Sequence, residues 1–373
     1  MYDCRSMRIA LFRGGHISRT FVRASTIISH MKSGLKLSLI LLLFLGVNRV
    51  HASAHEPLSM DTLKSIFQML SHEEVLKMSI TTDINEFLHN KNTDESQKAT
   101  LLLEGQDHLP AMWQVKISAR GKHRRRTCDF PPVRIKFKKS ELKANGLSPF
   151  KSYKLVTHCS DRAIDEELIL KEYLTYKMYN IITPASFNVQ LVKIKWTDTS
   201  GSHDIGEQWG FIIEQKDEIL ERLNCTPHDE FGAMHHQLDT ECAGITYMFQ
   251  YMIGNHDWNV ESSRNMFFVH HESFDEIIPI PYDFDFSILV GAYYLSLNWE
   301  LEGSNKRKYL GDLTDAENKS VVEIFKSKKK EIYGVINSFG YLSRDSRYKM
   351  IKYLRSFYKH LSKPLNRVSN DDG

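Results

Sequence analysis

The stretch YMIGNHDWNVESSRNMFFV at residues 251–269 decides how this 373-residue sequence is interpreted. An apolar run of helical length leads into it, and Gly254 follows that run as a glycine at the end of a helix does. Asp257 comes next, in a segment that we expect to be a loop. Asn265 lies eight positions later, at the start of a strand-like apolar run. The stretch thus predicts a helix, a polar loop and a strand in succession.

A second stretch, PYDFDFS at residues 281–287, places Asp283 eighteen positions after Asn265. Asp283 and Asp285 share one face if this backbone is extended, because side chains alternate along a strand. Mg²⁺ prefers oxygen ligands and usually takes only one or two carboxylates from a protein. Phosphoryl transfer uses an aspartate base together with an asparagine and an aspartate on the metal. The alternative is that these acids only cap turns.

The rest of the chain predicts an α+β protein with two lobes, a sheet-rich first half that holds one helix and a helix-rich second half. A basic loop, Arg120–Arg126, is expected between the first two strands. Asp161 or Asp165 is expected to cap the long helix. Strands are expected at 112–119, 133–137, 153–157, 187–196, 209–214, 264–271 and 277–281, and helices at 55–92, 164–181, 217–223, 241–253 and from 318 to about 365.

The N-terminal region predicts export. Residues 31–54 have a basic start, an eleven-residue apolar run and an Ala-Ser-Ala end, which is the pattern of a signal peptide cleaved near Ala54. The run is too short to favour a membrane span, although an uncleaved anchor is the alternative. Residues 1–30 are then a gene-model extension, and we expect a secreted or periplasmic protein.

Composition excludes several classes of protein. Hydrophobic residues at 42% and charged residues at 25% are typical of a globular chain. Without residues 1–54 the chain has 41 Lys and Arg against 45 Asp and Glu, a net charge of −4, which argues against a nucleic-acid binder. Four cysteines remain, and the local pairings are Cys128–Cys159 and Cys225–Cys242; no CxxC pair suggests zinc.

At these residues the sequence resembles the CotH-type (spore coat protein H) secreted kinases, a divergent branch of the protein-kinase-like fold. The resemblance lies in Gly254-Asn255-x-Asp257 followed by Asn265, and then in Pro281-x-Asp283-x-Asp285. It covers roughly residues 110–300. The flanks 55–105 and 305–373 lie outside it. We expect the chain to divide into 55–105 (an N-terminal helical flank), 106–216 (the sheet-rich lobe) and 217–373 (the helical lobe).

The resemblance also implies roles for single residues. Asp257 would be the catalytic base, Asn265 and Asp283 the Mg²⁺ ligands, and Asp285 a support or third ligand. Backbone groups of Glu214–Lys216 would bind adenine. A lysine should contact phosphate and pair with a helix glutamate: Lys154 and Lys136 are the candidate lysines, Glu172 and Glu167 the candidate partners, and Lys154 with Glu172 is preferred.

The chain departs from ordinary kinases in two places. It has no Gly-x-Gly-x-x-Gly loop, and the loop that begins at Arg120 could bind phosphates by charge instead. His256-Asp257 replaces the His-Arg-Asp triplet. The expected function is an exported phosphotransferase that uses ATP with Mg²⁺ or Mn²⁺ and a hydroxyl acceptor on a protein or small molecule. The alternatives are a non-catalytic kinase-like binding module and a metal-dependent hydrolase.

Overall fold

A computed structural model describes residues 63–71, 74–105, 109, 111–160, 162–271, 275–291 and 307–361. The expected extension at 1–30, the signal peptide at 31–54 and Asp161 lie outside these residues.

Seven strands form a closed barrel in the order β1-β2-β3-β4-β5-β7-β6. The strands are β1 (Leu76–Thr82), β2 (Gln97–Leu103), β3 (Met112–Ala119), β4 (Val133–Lys136), β5 (Ser152–Val156), β6 (Val189–Asp198) and β7 (Glu207–Ile213). Neighbours are antiparallel except β1 and β6, which pair in parallel with Leu76 opposite Val192. This parallel pair closes the barrel and leaves it without an open edge.

Strand alternation decides which side chains fill the barrel. On β5, Tyr153 and Leu155 are buried inside with residues from the other strands. Lys154 lies between them and therefore belongs to the outer face. Register places Arg134 of β4 beside Lys154, and Ser118 of β3 beside Arg134. A polar row, Ser118–Arg134–Lys154, thus crosses three strands on the outside of the barrel.

Helices dominate the second half. Their bounds are α5 (Ala163–Ile182), α6 (Lys216–Leu223), α7 (Thr240–Ile253), α8 (Asp315–Ser338) and α9 (Arg344–His360), with a short 3₁₀ turn at His235–Gln237. The four longest pack around a second hydrophobic core that also takes side chains from β6 and β7. A small antiparallel sheet, β8 (Cys225–Pro227), β9 (Met266–His271) and β10 (Ile277–Pro281), packs against α7. The remaining short helices are α1 (Ile66–Leu70), α2 (Ile84–His89), α3 (Arg124–Thr127) and α4 (Lys139–Ala144).

The predicted mixture of strands and helices is confirmed, and α7 and β10 lie where the sequence places them. The barrel closure was not predicted. The helix expected over 55–92 is wrong at Leu76–Thr82, which is strand β1 with alternate residues buried. The Arg120–Arg126 loop contains the short helix α3, and the helix expected from 318 to 365 is two helices, separated at residues 339–343.

The start of α5 also differs from expectation. Its N-cap is Arg162, and Asp165 lies in the first turn, where it accepts from Ser160 Oγ at 2.5 Å and from Arg162 at 3.3 Å. An acid in the first turn still interacts favourably with the helix dipole. Asp165 therefore ties down the segment before α5 without capping it.

The Cys128–Cys159 disulfide is confirmed, and it joins the end of α3 to the segment between β5 and α5. Cys225 carries a buried thiol that donates to the Leu223 carbonyl oxygen at 3.4 Å, so the Cys225–Cys242 pairing is wrong. In the part of the chain that the structure describes, no helix combines the length and the apolar character needed to cross a bilayer.

Candidate functional site

A cavity of about 170 Å³, here called the cleft cavity, lies where the barrel meets the helical half. Its wall brings together side chains from six separate segments: the β3–β4 connection, β5, α5, β7 and the two acidic stretches. Of the residues singled out from sequence, the wall contains Arg120, Lys154, Glu172, Asp257, Asp283 and Asp285. Residues up to 165 positions apart in the chain therefore share one concave surface.

Local backbone hydrogen bonds hold the Asp257 loop. Gly254 ends α7 in the left-handed region, with φ +65°. The buried Asn255 accepts the Asp257 N–H at its Oδ1, at 3.0 Å, and its carbonyl oxygen accepts Trp258 Nε1 at 3.0 Å. Both bonds link neighbours in sequence, so the loop conformation is specified by the residues that form it.

Asn265 lies directly on this loop. Its Nδ2 donates to the Asp257 carbonyl oxygen at 2.7 Å and to Asp257 Oδ2 at 2.9 Å. Because Nδ2 donates to Asp257, Oδ1 is the atom with which Asn265 could hold a metal. Arg264 Nη1 lies 3.8 Å from Asp257 Oδ1, which adds a positive charge beside the carboxylate.

Asp283 is connected to the same loop through the backbone. The Tyr282 N–H donates to the Asn265 carbonyl oxygen at 3.0 Å, so Asp283 follows immediately after the point of contact. The Asp283 N–H donates to the Tyr176 hydroxyl of α5 at 2.8 Å. Asn265 and Asp283 both have positive φ, +53° and +66°. Non-glycine residues with positive φ are strained and persist only where surrounding contacts hold them. Such residues cluster at functional sites.

Glu172 lies beneath the acids. It is 2% exposed, and burial raises its pKa well above the ordinary value, with the charges of Asp285 and Asp283 raising it further. Arg124 and Arg120 oppose this effect. Glu172 and Lys154 line the same cavity, but they form no ion pair, so the preferred lysine–glutamate pairing is not formed in this structure.

Structure separates the two candidate lysines. Lys154 lines the cleft cavity and lies 5.0 Å from the centre of the Tyr282 ring. Burial, together with the charge of Arg120, lowers its pKa to about 8, against the opposing effect of Asp283. Lys136 is exposed on β4 and does not belong to the cavity wall. Of the two, only Lys154 is placed to meet a ligand there.

Residues 120–124 form part of the wall of the cleft cavity. Burial is the main cause that lowers the pKa of Arg120, and the Asp283 carboxylate opposes it. Arg124 Nη2 donates to the Thr157 carbonyl oxygen at 3.1 Å, which ties α3 to the end of β5. The His123 ring meets the edge of Phe286, with centroids 6.4 Å apart. Through His123, this segment contacts the second acidic stretch directly.

Glu214 has a structural partner. Its carboxylate forms two hydrogen bonds of 2.9 Å with the Arg222 guanidinium, and it also accepts the Asn188 N–H at 2.9 Å. Arg222 in turn donates to the carbonyl oxygens of Pro184 and Ser186. The Glu214 side chain is 4% exposed and is absent from the cavity wall, whereas the preceding Ile213 lines it.

The donor set suits a hard cation that brings its own phosphate ligands. Within the described ranges, no three His, Cys, Asp or Glu side chains are grouped closely enough to hold a metal ion between them. Magnesium does not need such a cage, because one or two carboxylates, an amide oxygen, water and phosphate complete its coordination. Asp283 and the Asn265 Oδ1 supply that kind of set, whereas a three-carboxylate hydrolase centre would need more.

Sequence analysis missed several wall residues. Tyr176 lies four residues after Glu172 and therefore shares its face of α5. This spacing could have predicted that Tyr176 lines the site. Tyr282 lies next to Asp283, and the Nζ atoms of Lys154 and Lys216 lie 5.0 and 5.8 Å from the centre of its ring. Arg124 lay within the basic segment already noted, but nothing in the sequence distinguished it from its neighbours.

Comparison of this chain with known proteins gave no match to a protein family and a weak match to a solved structure. No protein-family model and no curated protein matches it. Among solved structures, it is similar to a Helicobacter pylori proinflammatory kinase, CtkA, with 8% sequence identity and a TM-score of 0.34, over 63% of this chain and 92% of that one. No comparison points to the CotH-type family.

Proposed function

We propose that this protein is a kinase-like phosphotransferase that moves the γ-phosphate of ATP to a hydroxyl group of a protein or small molecule. One observation carries the proposal: Lys154, Glu172, Asp257, Asp283 and Asp285 converge on one cleft cavity from elements far apart in sequence. Phosphoryl transfer consists mostly of positioning and charge stabilisation, and it needs a cation, a carboxylate base and metal-binding oxygens in one place.

Each residue then has a defined task. Asp257 would accept the proton of the acceptor hydroxyl, while Asn265 holds its loop and offers Oδ1 to a metal. Asp283 would be the carboxylate ligand, with Asp285 beside it. Bound Mg²⁺ or Mn²⁺ would neutralise charge that develops on the phosphates. Lys154 and Arg120 would contact phosphate oxygens from the opposite wall.

The finer features of the proposal come from the sequence. The motifs at Gly254–Asn265 and Pro281–Asp285 support membership of the CotH-type kinases with a two-lobe kinase-like architecture, and residues 31–54 support export. The Cys128–Cys159 disulfide is compatible with an oxidising compartment. Adenine would bind along the backbone at Glu214–Lys216, which follows the wall residue Ile213.

A specific contact favours a second candidate, a nucleotide-binding module without catalysis. Arg264 lies 3.8 Å from Asp257 Oδ1, and a neighbouring positive charge makes a carboxylate a weaker base. In that case ATP would bind in the cleft cavity and raise the melting temperature, since any ligand of the native state stabilises it. Phosphate transfer would not follow.

The test is transfer of labelled γ-phosphate with Mg²⁺ or Mn²⁺, to the protein itself and to an added protein mixture. The variants are Asp257→Asn and Asp283→Asn, with Asp275→Asn as the matched control because Asp275 is exposed and outside the cavity wall. Loss of a general base costs roughly 10²–10⁴-fold in rate, so Asp257→Asn should fall by that factor while the control keeps its rate. The proposal would be refuted if neither wild type nor either variant transferred phosphate and ATP did not raise the melting temperature. Protection against melting without transfer would establish the binding module, provided that the protection is lost in Lys154→Ala, since Lys154 lines the cleft cavity and not the basic cavity.

A further inference from the structure

A second and larger cavity, here called the basic cavity, lies on the other side of the Arg120–Thr127 segment. Its volume is about 720 Å³, within the usual range of about 300–1,000 Å³ for small-molecule sites. Five cationic side chains and one acid line it: Arg120, Lys122, Arg125, Arg126, Arg134 and Asp94. Runs of charge are generally solvated faces, but here the charges surround a concave space.

The charges in this wall are unbalanced. Asp94 forms an ion pair with Arg125, whose Nε also donates to the Ala119 carbonyl oxygen at 3.3 Å. Arg125 is therefore neutralised and held in place. The other four cations in the wall have no second acid among the wall residues. Like charges gathered around one cavity repel one another, and a bound anion would remove that cost.

Strand register explains why two separate cavities share one face of the barrel. Ser118, Arg134 and Lys154 form the polar row described above, and residues of the Arg120–Thr127 segment line both cavities. Ser118 and Arg134 are left on the side of the basic cavity, and Lys154 on the side of the cleft cavity. Arg120, Gly121 and Lys122 belong to both walls.

We propose that the basic cavity binds a compact molecule that carries several phosphate groups. Arginine presents a planar fork of donors that matches phosphate oxygens in pairs, and Arg126 and Arg134 line this cavity and not the acidic cleft cavity. One phosphate cannot reach opposite walls of a cavity this large, whereas a chain or ring of phosphates can. The site requires neither Lys154 nor the acids. Arg120 and Lys122 belong to both walls, but Arg126 and Arg134 line the basic cavity and not the cleft cavity, so the two sites can be tested separately.

Tripolyphosphate is the probe, with binding measured by calorimetry on the full chain at low and at raised salt. The test variant is the double change Arg126→Ala/Arg134→Ala, since both residues are exposed and line only the basic cavity. Lys136→Ala is the matched control, because Lys136 is an exposed cation on the same strand as Arg134 but lies outside the wall. Lys154→Ala reports on the cleft cavity.

We expect saturable binding that weakens with salt, a loss of about tenfold or more in affinity for the double variant, and a change within about twofold for Lys136→Ala. Orthophosphate should bind more weakly than tripolyphosphate. No binding by wild type, equal losses in the double variant and the Lys136 control, or equal affinity for orthophosphate would each overturn the proposal. The two proposals can fail separately. If ATP does not raise the melting temperature and no phosphate is transferred, while binding of tripolyphosphate still depends on the two arginines, the phosphotransferase proposal is wrong and the proposal for the basic cavity is kept.

Discussion

The acidic and the cationic sides of the cleft cavity are built in different ways. Asp257, Asn265 and Asp283 lie within 27 consecutive residues and are linked by hydrogen bonds inside that stretch, with one more distant bond from the Asp283 N–H to Tyr176 of α5. Lys154 and Arg120 reach the cavity through strand register and through a segment that folds back over the barrel. The acidic side is therefore a local property of the sequence, and the cationic side is a property of the whole fold.

Removing the Cys128–Cys159 disulfide should disturb the cationic side most. The bond closes a loop of 31 residues, and the entropy of such a loop in the unfolded chain corresponds to about 3 to 4 kcal/mol. We expect Cys128→Ser/Cys159→Ser to lower the free energy of unfolding by that amount in urea titrations. A loss below about 1 kcal/mol would mean that this side is held as locally as the acidic side.

Gly254→Ala should disturb the acidic side by about 2 to 3 kcal/mol. Gly254 has φ +65°, and an added Cβ would lie 2.2 Å from the Tyr353 hydroxyl and 2.9 Å from Ile288 Cδ1. The matched control is Gly334→Ala within α8, where a Cβ meets no atom within 4 Å and should stabilise the helix by about 0.5–1 kcal/mol. Equal urea midpoints for both variants would show that the end of α7 does not depend on this glycine.

This difference explains what the sequence could predict. The positions of α7, β10 and the acids follow from a helix-ending glycine and from short spacings, so local pattern was sufficient. At residues 76–82, Leu76, Met78 and Ile80 alternate, but Val75 beside them and the apolar run before them suggested a helix. This segment pairs with β2 on one side, and its parallel pairing with β6, more than 100 residues away, closes the barrel.

The same reasoning applies to single residues. Lys154 and Lys136 both lie on strands in which alternate residues are buried, and which face meets the cavity depends on how the sheet curves. Glu214 directly follows strand β7, where a hinge residue is expected, but its carboxylate is bound by Arg222 on the following helix. Neither outcome can be predicted from the spacing of nearby residues, because each depends on contacts that form only in the tertiary structure.

The lysine pair tests the cationic side directly. A hydrogen bond to a charged group is worth about 1.5–3 kcal/mol, so Lys154→Ala should weaken ATP binding by about tenfold or more. Lys136→Ala should leave it within about twofold, because Lys136 lies outside the cavity wall. ATP-dependent shifts in melting temperature measure both. A larger effect at Lys136 would reverse the assignment of the phosphate-binding lysine.

Glu218 on α6 connects the barrel to the helical half and provides a test based on pH. It is buried, its Oε1 accepts the Tyr153 hydroxyl of β5 at 3.2 Å, and its Oε2 accepts the Gln215 N–H at 3.1 Å. Burial raises the pKa of Glu218 to about 7, and these hydrogen bonds only partly oppose it. The folded protein thus holds this proton more tightly than the unfolded chain does.

A raised carboxyl pKa sets the sign of the effect on stability. The stabilising contribution of protonated Glu218 is complete below its unfolded pKa of 4.5 and is lost as pH rises towards about 7. The free energy of unfolding should therefore fall over this range, by at most about 1.4 kcal/mol per pH unit for one proton. Glu218→Gln keeps the side-chain shape but cannot ionise, so its decline should be shallower than that of wild type. Buried Glu172 contributes to both proteins alike, which is why the difference between their slopes isolates Glu218. Parallel slopes in urea titrations from pH 5 to 7.5 would show that the contact between β5 and α6 does not hold a proton.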